Sequence, residues 1–150
     1  MARVIALAIE NVQTGCGGPF AAIVTRGEET LAEGINLVTS TNDPTAHAEV
    51  VAIREACRKL SSFQLSGCEL YASCEPCPMC MGAIYWARVS RVWFAATRND
   101  AASIGFDDSF IYDELALPYS GRAIPTTRIL GEEGLTPFRK WRDKPDKAPY

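Results

Sequence analysis

The sequence predicts an α/β domain spanning residues 1–150, with a mixed sheet of about five strands held between helices in a three-layer α/β/α arrangement. Three observations carry that expectation. Two short apolar runs near the start flank Arg26-Gly27-Glu28-Glu29, which reads as the turn of a hairpin. From about residue 46 to residue 96, helix-length and strand-length apolar segments alternate, which implies parallel pairing through crossover helices. The chain has 150 residues, 47% hydrophobic and 22% charged, enough for one sizeable core and no linker that would split it.

The elements follow in order. Residues 1–13 read as an amphipathic helix and Thr14 to Pro19 as a glycine-rich turn. Phe20 to Thr25 reads as a buried strand, and Thr30 to Asn36 as its hairpin partner. Ala46 to Leu60 reads as a helix, with Val50, Ile53, Cys57 and Leu60 recurring on one apolar face. A strand over Glu69–Ser73 leads to a helix over Pro78–Arg88, where Pro78 suits the first turn. Arg91 to Ala96 reads as a strand, Ser109 to Leu117 as a helix and Thr126–Leu130 as a further strand. From about residue 131 the chain reads as a tail rich in Pro, Lys and Arg.

Composition narrows the function classes. No apolar run approaches the ~20 residues of a membrane helix, and the run from Val4 to Ile9 is short for a secretion signal, so a cytoplasmic protein is expected. A net charge of −3 suits a small neutral substrate better than nucleic acid. The six cysteines of an unexported chain point away from a disulfide framework. Three of them, Cys74, Cys77 and Cys80, fall within seven residues, which points toward metal.

Two patterns carry chemistry: His47-Ala48-Glu49 and Pro76-Cys77-Pro78-Met79-Cys80. A catalytic zinc takes three protein ligands and keeps one position for water, and His47, Cys77 and Cys80 supply N and S donors of suitable softness. Cys77 and Cys80 lie three apart at a helix start, so both thiols can share one side of the first turn, where unpaired N–H groups favour thiolate. Residues two apart on a regular helix diverge by about 200°, so His47 and Glu49 converge only if the metal lies off the helix N-terminus. Asp43-Pro44-Thr45 just upstream fits such a start. An iron–sulfur run opening at Cys74 would need a further cysteine where Ile84 stands. His-x-Glu with Pro-Cys-x-x-Cys is the signature of zinc-dependent nucleobase deaminases, in which the glutamate moves protons.

The likeness extends beyond that signature. Residues 41–49 (TNDPTAHAE), 73–80 (SCEPCPMC), 82–88 (GAIYWAR), 105–112 (GFDDSFIY) and the Pro137-Phe138…Trp141-Arg142 tail resemble bacterial guanine deaminases of the cytidine-deaminase superfamily. The tRNA adenosine deaminases share the core signature, and the FDDSFIY segment and the tail discriminate against them. The resemblance implies a cytidine-deaminase-like fold and one Zn2+ per chain on His47, Cys77 and Cys80. It implies hydrolysis of guanine at C2 to xanthine and ammonia, with Glu49 as proton shuttle, and so a place in purine catabolism. It assigns Asn36, Phe20, Ala48, Trp86, Asp108 and Tyr150 to the purine, with Asp108 also counted among the catalytic residues. It implies a homodimer in which the C-terminal tail crosses over and Tyr150 completes the partner's site.

Plainer readings stand beside these. Asn36 could end a strand, Asp108 could cap the following helix, Phe20 and Trp86 could be core, and the tail could be a frayed terminus. The Arg139–Lys147 cluster reads as a solvated tail, and Asp107 is assigned to structure. At the level of function the alternatives are a deaminase of another base or nucleoside (guanosine, cytosine, adenosine in tRNA) and a non-catalytic zinc module. A structural zinc site needs no acid two residues from its ligand and is normally closed by a fourth one.

Overall fold

The computed structural model describes residues 1–148. Met1–Ser109 and Phe110–Tyr150 form two compact units. In the first, helix α1 (Ala2–Thr14) ends at Gly15, whose φ of 69° lets its N–H return to the Val12 carbonyl. Strands β1 (Ala21–Arg26) and β2 (Glu29–Ile35) pair antiparallel, with a register shift at Val24/Thr25. After the short helix α2 (Val38–Thr41) come α3 (Ala48–Leu60), β3 (Glu69–Cys74), α4 (Pro78–Trp86), β4 (Arg91–Ala96) and α5 (Arg98–Ala102). The sheet order is β2-β1-β3-β4. β1 is antiparallel to β2 and β3, whereas β3 and β4 run parallel and are joined through α4. A mixed sheet was expected, and it is present.

Period-two alternation on β1 builds the layers. Ala21 and Ile23 point to α1 and pack with Val4, Leu7 and Ala8. Ala22 and Val24 point the other way, to Ala48, Ala52, Ile53 and Ala56 of α3 and Ile84 of α4. Leu65 and Leu70 are fully buried in that second cluster, each such side chain contributing about 1.5–3 kcal/mol. The innermost face of α3 is the stripe Ala48, Ala52, Ala56, one step around from the face marked by the larger apolar residues; Cys57 and Leu60 only flank it. Small side chains bring the helix backbone close to β2. A Cβ on Gly34 would lie 2.3 Å from the Ala48 carbonyl oxygen and 2.6 Å from the Ala52 nitrogen.

Helix α6 (Ser109–Ala116) begins at the last residue of the first unit and continues into the second, which also holds α7 (Thr136–Asp143). One expectation is corrected here. Four strands form among the described residues, because Thr126–Leu130 adds none. Ile129 and Leu130 are exposed, Leu130 turns at φ 50°, and Arg128 bonds back to the Gly131 carbonyl. β propensity makes no strand where no neighbour pairs with it. The tail, in turn, contains α7, with Pro137 in its first turn and Phe138 and Trp141 three apart on one side. No helix among the described residues is long and apolar enough to cross a membrane.

Candidate metal and catalytic site

Two helix N-termini meet at the site. His47 is the N-cap of α3, extended at φ −67° and ψ 150°, and Cys77 is the N-cap of α4 at φ −67° and ψ 169°. Neither side chain caps its own helix, so both are available for another partner. The approach to His47 is fixed by Asp43, whose Oδ1 accepts from the Thr45 N–H at 2.8 Å and the Thr45 hydroxyl at 2.7 Å. The Leu37 N–H also donates to the Ala46 carbonyl at 2.9 Å. Cys77 follows β3, where the Glu75 N–H donates to the Ala96 carbonyl at 2.9 Å.

His47 Nδ1 lies 3.5 Å from Cys77 Sγ and 3.6 Å from Cys80 Sγ, and the three donor atoms lie within 4.8 Å of one another. Zn–N near 2.0–2.1 Å and Zn–S near 2.3 Å in a tetrahedron imply N···S edges of about 3.6 Å. The donor set and its spacing therefore fit zinc. The Cys77 thiol is pulled down to about 4, first by its hydrogen bond with Cys80 and then, against burial, by His47. Cys80 is pushed the opposite way by the same bond and by burial. The Cys77 partnership raises His47. Cys77 sits at the N-terminus of α4, where backbone N–H groups favour thiolate over thiol. Cys74 is not a member of the cluster: it is buried, donates weakly to the Thr97 carbonyl at 3.4 Å, and is raised to about 11 by burial.

Glu49 sits in the first turn of α3, buried, and its carboxylate hydrogen-bonds the Cys80 thiol. Burial is the main cause of a carboxyl raised above its ordinary value. A carboxyl that holds its proton more tightly than usual, beside three donors spaced for a metal, has the chemistry of a group able to accept and return a proton.

The residues assigned to the substrate are distributed unevenly. Asn36 is buried just past β2, and its Oδ1 accepts from the Val38 N–H at 3.3 Å, which leaves the amide N–H pair to donate. Phe20, half-buried, meets Phe106 edge-on with ring centroids 4.9 Å apart. Asp108 is half-buried and raised by burial and by the charge of Cys77. The hydrogen bond to the Ser109 N–H at the start of α6 belongs to Asp107, at 2.9 Å. The Ala48 side chain is fully buried in the core. Trp86 ends α4, six positions beyond Cys80 and so about 9 Å further along the axis, and it is 64% exposed. Tyr150 lies outside the described residues.

Residues 1–96 match the family model of the cytidine and deoxycytidylate deaminase zinc-binding region. The chain belongs to this deaminase family. Among curated relatives of this zinc-deaminase family, it is 53% identical to the guanine deaminase of Bacillus subtilis (strain 168), over 99% of this chain and 95% of the relative. It is 46% identical to the tRNA-specific adenosine deaminase of Aquifex aeolicus, over 52% of each chain. The X-ray structure of the Bacillus subtilis guanine deaminase superposes with a TM-score of 0.97 over 99% of this chain and 95% of that one. The guanine deaminase of Nitrosomonas europaea, 38% identical, superposes at 0.68 over 71% of this chain and 62% of its own. Phe106 lies in the GFDDSFIY segment, whose local pattern assigns it no role. Its contact with Phe20 joins segments 86 positions apart, and no local pattern shows that.

Proposed function

We propose that this deaminase hydrolyses guanine at C2 to xanthine and ammonia. The observation that carries the reading is the guanine deaminase likeness over nearly the whole of both chains, tail included, where the tRNA deaminase likeness spans about half. His47, through Nδ1, and the sulfurs of Cys77 and Cys80 would hold the zinc, one per chain. When bound there, zinc supplies Lewis acidity and lowers the pKa of a water it holds toward about 7.

Glu49 takes a proton from the attacking water and passes it to the ring nitrogen beside C2; it then takes the proton of the hydroxyl newly bonded to C2 and delivers it to the amino group, which leaves as ammonia as the C2 carbonyl forms. The amide N–H of Asn36 meets the acceptor edge of the purine, and Asp108 accepts from its N–H side. Phe20, with Phe106, walls one face of the ring. The substrate is a small purine and not nucleic acid, consistent with a net charge of −3, and the setting is cytoplasmic purine catabolism.

The working unit in this reading is a homodimer with exchanged tails, Tyr150 closing the partner's site. It is supported by apolar side chains exposed in the single chain: Ile9 on α1, Phe94 on β4, and Phe138 and Trp141 on α7. A spectrophotometric screen of guanine, guanosine, adenine and cytosine, together with zinc analysis, tests the assignment. Turnover of guanine well above the rest with about one zinc per chain is the expected result. Preference for another base, or iron with sulfide in place of zinc, would end it.

A further inference from the structure

Three polar or charged residues are buried among the described residues: Asn11, Asn36 and Glu49. Two belong to the proposed site. Asn11, 1% exposed on α1, is the third. Its Nδ2 donates to the Gly18 carbonyl at 2.8 Å and to the Asn36 carbonyl at 3.0 Å. Both partners can only accept, so the amide orientation is fixed by chemistry. Its Oδ1 has no partner among the described residues, a cost that local packing alone gives no reason to retain.

The two carbonyls belong to one ring of bonds. The Phe20 N–H donates to the Gly18 carbonyl at 2.8 Å, and the Asn36 N–H donates to the Phe20 carbonyl at 3.0 Å. Gly17 is pressed so closely against this ring that a Cβ there would lie 2.1 Å from the Asn36 carbonyl oxygen. One buried amide therefore ties α1 to both the segment that presents the Phe20 ring and the backbone that presents the Asn36 side chain.

We propose that Asn11 is a positioning residue for purine recognition, setting Asn36 and Phe20 in the register that meets the ring; this rests on Asn36 as a purine contact. The hydrogen bonds of Asn11 go to neither the metal ligands nor Glu49, so its effect falls on binding and not on the chemical step.

A double-mutant cycle with Asn36→Ala tests it. Asn11→Ala removes the amide, and Asn11→Asp keeps its volume while removing both N–H donors. Either should raise KM for guanine about tenfold, leave kcat within about threefold and keep zinc content. In the Asn36→Ala background the same change should raise KM less than about twofold further. If Asn36→Ala alone leaves KM unchanged, the purine-contact reading fails. If Asn36→Ala raises KM but the Asn11 variants do not, or their effect is undiminished in the double variants, the positioning role is overturned. Failure of both Asn11 variants to fold would make the residue structural and overturn it equally.

Discussion

His47 and Glu49 stand two positions apart and both reach the Cys80 sulfur. His47 Nδ1 is 3.5 Å from Cys77 Sγ, while Glu49 hydrogen-bonds the Cys80 thiol. On a regular helix the two side chains would diverge by about 200°. They converge because His47 is the extended N-cap and only Glu49 is helical. The histidine donor and the acid thus belong to different backbone regimes, and the three-donor cluster lies off the end of the helix.

Glu49→Gln should keep zinc and fold but lose roughly 10²–10⁴ in turnover, the worth of general acid–base catalysis. Full activity in the zinc-loaded variant would reassign the proton shuttle.

The same substitution has a pH signature in chelated protein. Burial raises the Glu49 carboxyl in the folded chain above its unfolded value. Its contribution to stability is therefore present below the unfolded carboxylate value and is lost as pH rises through the folded one. Metal-free Glu49→Gln should gain in melting temperature over metal-free wild type as pH climbs from about 4 through that window, then hold its lead. A difference independent of pH would contradict the buried carboxyl.

Alkylation should distinguish the cysteines of the metal-free chain. At pH 6 a thiol of about 4, Cys77, is almost wholly thiolate, and one of about 11, Cys74, holds roughly one thiolate in 10⁵. Mass spectrometry after brief iodoacetamide treatment should find Cys77 labelled and Cys74 intact, with zinc protecting Cys77. Early labelling of Cys74 would refute its buried placement.

Gly34→Ala tests the close packing that places His47. The added Cβ meets backbone atoms of α3, so the helix must shift or the strand must bend. Overpacking of this kind costs about 1–3 kcal/mol, a fall of roughly 2–12 °C in Tm for a chain of this size. Weaker zinc retention should accompany it in a competition titration. An unaltered Tm would mean that α3 is not held by this contact.

Asp107 and Asp108 should separate on substitution. Asp107→Ala removes the bond to the Ser109 N–H and should lower Tm with little change in kcat/KM. Asp108→Ala should damage guanine turnover without releasing zinc. Deleting residues 144–150, which follow α7, should also cut turnover while zinc content and far-UV circular dichroism stay near wild type. Excess Glu49→Gln chains should restore part of it in trans. A fully active truncation would remove the tail from the site.

The sequence by itself determined the donor types, the acid beside them, and the elements that carry them. His-x-Glu and Pro-Cys-x-x-Cys are local spacings, and helix and strand periodicity placed α1, β1 to β4, α3, α4 and α6 within a few residues. Tertiary structure alone decided what depends on distant partners. Thr126–Leu130 has strand composition but no neighbouring strand to pair with, so it forms none. The helix α7 could be read from Pro137, Phe138 and Trp141, yet the surrounding charge and prolines hid it. Trp86 and Ala48 lie beside motif residues in the chain but face solvent and core. Asn11 carries no motif and Phe106 no local role within its own; the ring contact of Phe106 with Phe20 and the two carbonyl bonds of Asn11 form only between segments remote in sequence. Local spacing encodes which atoms can bind a metal; which side chains surround it is set by burial and backbone pairing between segments remote in sequence.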